Sequence, residues 1–110
     1  MPVQTLTNDT FQSIVRDAGR PVLVDFSAAW CPPCQMLKPE LTRAAETLAG
    51  TADVAIVDVD AESALAGEFN VTSIPALKLF VGGEIVAEAH GFQNHDALVA
   101  WVERSVAAAA

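Results

Sequence analysis

Apolar residues along the chain form two kinds of run, and each kind predicts a different secondary structure. Short, mostly apolar runs at residues 22–26, 54–59 and 76–81 are typical of strands that are covered on both faces. A Gly-Gly pair joins the third run to residues 84–89, and this arrangement predicts an antiparallel hairpin. The sequence therefore predicts four strands, of which the last two are consecutive.

Elsewhere, apolar residues recur at spacings of three and four, which predicts helices. We expect a first helix after the capping residues 7–9, ending at Gly19, and a second from the cysteine pair to Gly50 with a kink at Pro39. A short third helix is expected around 65–69, and a fourth should begin near Asn94.

The order of these elements predicts the fold class. A strand–helix–strand unit gives a parallel pair with a right-handed crossover, whereas the closing hairpin is antiparallel. The predicted fold is therefore α/β, with a central mixed sheet and helices on both of its faces. No repeat or linker divides the sequence, so we expect residues 1–110 to form a single domain, with the alanines at 107–110 as a frayed helix end.

Composition and charge exclude several classes of protein. Hydrophobic residues make up 52% of the 110 residues, which is enough for one core. Six Lys and Arg against 14 Asp and Glu give a net charge of −8, so we expect neither a nucleic-acid nor a membrane partner. No apolar run approaches the roughly 20 residues that span a bilayer. Residues 1–5 lack the cationic and apolar parts of a secretory signal, although processing could have removed such a signal. We expect a cytoplasmic protein that is a monomer.

The two cysteines, Cys31 and Cys34, carry the strongest chemical signal, because only two prolines separate them. A structural disulfide that closes so short a loop would constrain the unfolded chain very little. A zinc site needs about four ligands, and His90 and His95 lie far along the chain without a second cysteine pair. We interpret the pair as a reactive dithiol, and the alternative is an inert pair of small core residues.

A helix N-terminus at Cys31 would favour a thiolate over a thiol, through its positive partial charge and its unpaired N–H groups. That thiolate can attack a disulfide sulfur, and Cys34, one helical turn further on, can then attack the mixed disulfide and release the partner reduced. Pro33 suits the first helical turn. Pro32 either stiffens the loop and removes a donor to sulfur, or is merely tolerated in an exposed loop.

Asp25 interrupts an otherwise apolar strand, where a carboxylate is expensive to bury. Burial would raise its pKa and make it a proton acceptor. Because Asp25 precedes Cys31 by six residues, the end of the strand can bring it behind the helix start, near Cys34. We therefore expect Asp25 to be the base that deprotonates Cys34, directly or through water. The alternative is a carboxylate that points outward from a half-exposed strand.

Four further residues are candidates for the surroundings of the dithiol. The Ile74-Pro75 bond precedes an apolar strand; base rates favour trans, whereas a cis bond would expose residues 73–74 for pairing with an extended peptide. Trp30 either packs on a substrate or belongs to the core. Gly91 is either a loop residue near the site or an ordinary turn glycine.

The chain resembles the thioredoxin family in motifs whose order and spacing fit over essentially its whole length. These motifs are Val22-Leu23-Val24-Asp25-Phe26, Trp30-Cys31-Pro32-Pro33-Cys34 with Pro39, Ile74-Pro75, Gly82-Gly83-Glu84 and Gly91. The resemblance implies a central mixed sheet flanked by four helices and general reduction of protein disulfides.

The resemblance also implies roles for the candidate residues. Cys31 would be the nucleophile, Cys34 the resolving thiol and Asp25 the buried acid of the family. Pro75 would be a cis-proline facing the cysteines, and Trp30, Ile74, Pro75 and Gly91 would form the apolar surface on which partner peptides lie. The partners would be disulfide-containing client proteins. The usual electron donor is a flavin- and NADPH-dependent thioredoxin reductase, so the chain itself would hold no cofactor and no metal.

Four positions depart from the common family pattern. Pro32 replaces a glycine, Ser27 a tryptophan and Ala76 a threonine, and Ile56 stands where many members place a lysine. Without that cation, the carboxylate of Asp25 should be less stabilised, so its pKa should lie higher than in lysine-bearing relatives. These departures affect the expected reduction potential and choice of partner rather than the reaction class.

Two other functions use the same features. One is an oxidant or isomerase of an exported compartment, which would have a higher reduction potential. The other is a binding or assembly subunit that uses the apolar surface around Trp30 and Ile74 without turnover. A reductase is the function that the missing signal and the pattern of a buried acid favour most.

Overall fold

Five strands form the central sheet of the computed structural model, which describes residues 3–110. They are β1 (Gln4–Leu6), β2 (Val22–Ser27), β3 (Asp53–Asp58), β4 (Ala76–Val81) and β5 (Glu84–His90), in the spatial order β1-β3-β2-β4-β5. The first three are parallel to one another, and β4 runs antiparallel to both β2 and β5. The prediction of a mixed sheet is confirmed.

The edge strand β1 was not among the predicted elements. It spans only three residues, of which Leu6 alone is buried, so it carries no apolar run and no alternation that a pattern could reveal. Its pairing with β3, which sets Leu6 opposite Val57, supplies the order that its own sequence lacks. Met1 and Pro2, on which the expectation about an export signal partly depends, lie outside the described residues.

The helices lie close to their predicted positions: α1 (Asn8–Phe11), which continues as a π-helical segment (Gln12–Arg16), α2 (Pro32–Thr47), α3 (Ser63–Glu68) and α4 (His95–Ala109). Thr7 and Asn94 cap α1 and α4 by accepting hydrogen bonds from backbone N–H groups of the first turn. The alanine run expected to fray is exposed, and it is helical as far as Ala109.

Helix α2 continues through Pro39, where a kink was expected. Proline has no backbone N–H, so the carbonyl of Gln35 lacks its usual helical donor at this point. The part of α2 before Pro39 carries Cys34, and the part after it places Leu41, Ala44 and Ala45 in the core.

The two faces of the sheet bury separate apolar clusters. On one face, α2 and α4 cover the first cluster, which includes Leu23, Leu77 and Leu79. On the other face, α1 and α3 cover the second cluster, which contains Val24 and Phe26. Because side chains alternate along a strand, Asp25 lies on the same face as Leu23, under α2. Among residues 3–110, no helix is long and apolar enough to cross a membrane.

Candidate active site

The cysteine pair lies at the N-terminus of α2. Cys31 is the N-cap residue, and its Sγ accepts a hydrogen bond of 3.4 Å from the backbone N–H of Cys34. Pro32 and Pro33 occupy the first helical positions, where a missing N–H leaves no helical hydrogen bond unmade. Both cysteines are free thiols, and they are only 4% and 5% exposed. The helix end thus offers the sulfur of Cys31 a donor and a positive partial charge.

One predicted partner, Ile74, lies beside Cys31, and Pro75 and Gly91 are connected to it in turn. The Sγ of Cys31 lies 4.0 Å from the carbonyl oxygen of Ile74, and the Ile74-Pro75 bond is cis. Gly91, which has a φ of 86°, donates a backbone hydrogen bond of 2.9 Å to the carbonyl of Pro75. Ala28 packs beside the two thiols, and Ile74 contacts this small cluster.

Trp30 does not belong to the core, because 66% of it is exposed. Its indole N–H donates a hydrogen bond of 2.7 Å to Oδ2 of Asp60, which holds the ring beside the cysteines. Asp60 is itself positioned by its backbone N–H, which donates to Oδ1 of Asp58 at 2.8 Å. Sequence reasoning missed this support, and it also missed two exposed apolar side chains, Met36 and Phe92.

Asp25 is buried on the face of the sheet that α2 covers, with only 1% of the residue exposed. Among residues 3–110, its Oδ1 atom has no hydrogen-bond partner. Burial raises the pKa of Asp25 to about 7, and the nearby Ser27 hydroxyl lowers it only in part. A carboxyl with this pKa changes its protonation near neutral pH.

A cavity of about 320 Å³ connects Asp25 with Cys34. The residues that line it come from β1, β2, β3, α2 and the loop before α2: Thr5, Asp25, Ser27, Ala28, Ala29, Cys34, Gln35, Lys38, Ile56 and Asp58. The lining is mostly apolar, but the carboxyl groups of Asp25 and Asp58 belong to it. A cavity of this size with such groups has room for water, which could bridge the Asp25 carboxyl and the Cys34 thiol.

Cys34 holds its proton strongly. Burial above all, together with the side-chain hydrogen bond with Cys31 and the negative charge of Asp25, raises the pKa of the Cys34 thiol to about 12. A backbone hydrogen bond at Ala28 opposes these effects. The Cys34 thiol therefore needs a base before it can react as a thiolate.

The part of the chain that the structure describes contains no group of three or more His, Cys, Asp or Glu side chains that could hold a metal ion. His95 instead contacts the Thr47 hydroxyl through Nε2, at 2.8 Å, and Asp96 through Nδ1.

Comparison with known proteins adds to this geometry. The thioredoxin family model matches residues 2–104. The chain is 43% identical over 96 residues to a thioredoxin of Alicyclobacillus acidocaldarius subsp. acidocaldarius, covering 87% of this chain and 90% of the relative. It is 38% identical over 100 residues to thioredoxin C-2 of Corynebacterium nephridii, covering 91% and 93%. It also matches a bifunctional thioredoxin reductase/thioredoxin of Mycobacterium leprae, at 40% over 94 residues, covering 86% of this chain and 20% of that protein.

The chain belongs to the thioredoxin family. It is a thiol–disulfide oxidoreductase with protein-disulfide reductase activity, as its sequence predicted.

Two of the departures from the family pattern bear on the cavity. Ile56, which stands where the family resemblance implies a lysine, lines the cavity with an apolar side chain. Ser27 lines it as well, and its hydroxyl acts on Asp25. Lys38 also lines the cavity, and sequence reasoning missed it. Its spacing of four residues from Cys34 is the signal that could have found it.

Proposed function

We propose that this protein reduces the disulfides of client proteins in two steps, with Cys31 as the nucleophile and Cys34 as the resolving thiol. The Cys31 thiolate attacks one sulfur of the client disulfide, that bond breaks, and the other client sulfur leaves as a thiolate. The Cys34 thiolate then attacks Sγ of Cys31, which releases the second client thiolate and forms the Cys31–Cys34 disulfide. The client gains two electrons, and the pair loses two.

The observation that carries this assignment is the position of Cys31 as the N-cap of α2. Its sulfur faces the N–H of Cys34 at 3.4 Å, so the helix stabilises negative charge on Cys31 rather than on Cys34. The raised pKa of the Cys34 thiol separates the two cysteines further, because it keeps the second sulfur protonated while the first one attacks.

Asp25 is the proposed base of the second step. Its carboxylate takes the proton of Cys34 through water in the shared cavity and passes it to solvent by the same route. Support comes from its raised pKa, since a carboxyl with a pKa of about 7 is a stronger base than an exposed one and is still ionised in half of the molecules at neutral pH.

Clients are proposed to bind along Trp30, Ile74, Pro75 and Gly91. The exposed Trp30 ring offers apolar contact area, and the Ile74 backbone beside Cys31 suits pairing with an extended peptide whose cysteine is bonded to Cys31. The proline spacers, Pro32 and Pro33, are proposed to restrict the backbone between the two thiols, since the ring of each fixes its φ.

The partner that restores the dithiol is proposed to be a thioredoxin reductase. The Mycobacterium leprae relative, which is named as both a reductase and a thioredoxin, supports this choice. The chain itself is proposed to act without a cofactor, as a cytoplasmic monomer whose residues 1–110 form one domain.

Turnover of insulin in the presence of dithiothreitol, followed by the turbidity of its freed chains, tests the two roles. Cys31→Ser should abolish turnover and form no mixed disulfide. Cys34→Ser should also stop turnover but accumulate a mixed disulfide at Cys31, which mass spectrometry of the unreduced complex would locate. The two serine variants are matched controls for each other, and a trapped client on Cys34 instead of Cys31 would reverse the roles.

Redox titration against glutathione tests the direction of electron flow. A reductase should have a potential near the value of about −270 mV that is typical of a thioredoxin, whereas about −180 to −120 mV would indicate an oxidant or isomerase.

A further inference from the structure

Three strands place one residue each in a row beneath α2. Ile56 of β3 is paired in register with both Thr5 of β1 and Asp25 of β2, so the three side chains share one level and one face of the sheet. All three line the same cavity. Because Thr5 lies on the exposed edge strand and Asp25 is 1% exposed, the cavity runs from the surface to the buried carboxyl.

Lys38 completes the wall of this cavity from the helix above. It follows Cys34 by four residues on α2, so the two side chains lie on neighbouring turns of one helical face. Lys38 is exposed, and among residues 3–110 it has no acidic side chain within 4.0 Å. Its ammonium group is therefore not committed to another partner.

Apart from Lys38, the ionisable residues that line the cavity carry either a negative charge or none. The ionisable groups that line it are Asp25 from β2, Asp58 from β3, and Cys34 and Lys38 from α2, so that Lys38 is the cation among the lining residues. Asp58 accepts hydrogen bonds from the backbone at Oδ1, and its negative charge disfavours a second carboxylate nearby. Cys31 adds no positive charge either, because a thiol is neutral or, when ionised, negative.

The remaining neighbours of Asp25 supply no positive charge on this side of the sheet. Leu77 of β4 is paired with Asp25, and α4 contributes the apolar Leu98 and Val102 to the same face. Lys78 follows Leu77 on β4 and therefore points to the opposite face, where it is paired with Glu88. Its charge is separated from Asp25 by the sheet.

We infer that Lys38 is a positioning residue which, across the water-accessible cavity, favours the carboxylate form of Asp25 and so keeps it able to take the proton of Cys34. This inference rests on the role proposed above for Asp25. Lys38 itself gains and loses no proton in the step, because the proton moves from Cys34 to Asp25 and then to solvent. A positive charge facing a cavity lined by low-dielectric walls acts more strongly than one on an open surface.

Carboxyl-carbon NMR titration of Asp25 in the reduced protein tests this inference. Lys38→Met should raise the titration midpoint of Asp25 by about 0.5 pH unit or more, and Lys38→Arg should restore it. Arg104→Met, which removes one positive charge from an exposed position on α4, is the matched control and should leave the midpoint in place. Added salt should narrow the gap between Lys38→Met and the wild type.

The pH profile of insulin reduction is the second measurement. Lys38→Met should shift the acidic limb of the profile to higher pH by the same amount as the NMR midpoint, and Arg104→Met should not. If Lys38→Met moves the Asp25 midpoint no further than Arg104→Met does, or if Lys38→Arg fails to restore it, the inference is wrong. Failure of the proposed function would instead appear as a wild-type protein that does not reduce insulin, whatever the titration shows.

Discussion

Replacing Asp25 with asparagine should stabilise the fold, and should do so by more at alkaline pH than at acid pH. The carboxyl has a pKa of about 7 in the folded protein and an ordinary value of 3.8 when exposed. Between these values the folded state binds more protons than the unfolded state, so stability falls as the pH rises through that window. A difference of about three pH units corresponds to about 4 kcal/mol lost above pH 7.

The difference between two pH values is the sharper quantity, because it does not depend on how well asparagine fits the site. With these pKa values, linkage predicts that the advantage of Asp25→Asn grows by about 2.7 kcal/mol between pH 5 and pH 8.5. Urea unfolding of both proteins, kept reduced, measures it at each pH. Groups that do not interact with Asp25 titrate alike in the two proteins and cancel in the comparison. The pKa of Cys34, which burial together with the charge of Asp25 raises to about 12, lies well above both pH values in the folded wild type.

Asp25→Ala is the control for shape. It opens space where the carboxyl stood, so its stability at any one pH should differ from that of Asp25→Asn, yet its gain between the two pH values should be the same. An advantage over the wild type that is equal at pH 5 and pH 8.5 would refute the assignment of a raised pKa to Asp25.

Three further predictions concern the fold and can be checked by urea unfolding at neutral pH. Leu41→Ala, at a fully buried position of α2, should cost about 2–5 kcal/mol, and a loss below 1 kcal/mol would contradict its place in the core. Gly83→Ala should cost about 1 kcal/mol more than Gly82→Ala. Both glycines have positive φ, but only a Cβ at Gly83 would lie 3.1 Å from a backbone carbonyl oxygen, that of Arg16. Equal losses of stability would argue against that contact. Glu88→Ala should cost about 1–3 kcal/mol, because it leaves the buried Lys78 unpaired. Adding Lys78→Met to this variant should recover the lost stability. A double variant as unstable as Glu88→Ala alone would contradict the predicted role of the pair.

The regular elements could be predicted because their signals are local. The buried strands carry continuous apolar runs, and α2 repeats its apolar positions from Leu37 onwards at helical spacing. β1 could not be predicted, because its three residues gain their order only by pairing with β3. The first helix changes to π-helical geometry at Gln12 and ends at Arg16, three residues before the predicted stop, and no residue in the sequence marks that change.

The candidate site was predictable in its chemistry but not in its surroundings. Two cysteines at a helix start and an acid in an apolar strand can be read from their order along the chain. The row from Thr5 to Asp25, and the approach of Lys38 above it, depend on strand register and on how α2 lies across the sheet. The same holds for the indole of Trp30, whose partner Asp60 is thirty residues away.

Pro39 interrupts the backbone hydrogen bonds of α2 near Cys34. Because Pro39 has no backbone N–H, one helical hydrogen bond is missing between the turn that bears Cys34 and the following turns, which Leu41 and Ala44 hold in the core. A small shift of the sulfurs as they join and separate would therefore break one backbone hydrogen bond fewer than in an uninterrupted helix. We therefore expect Leu41 and Ala44 to keep their places in the core in both oxidation states.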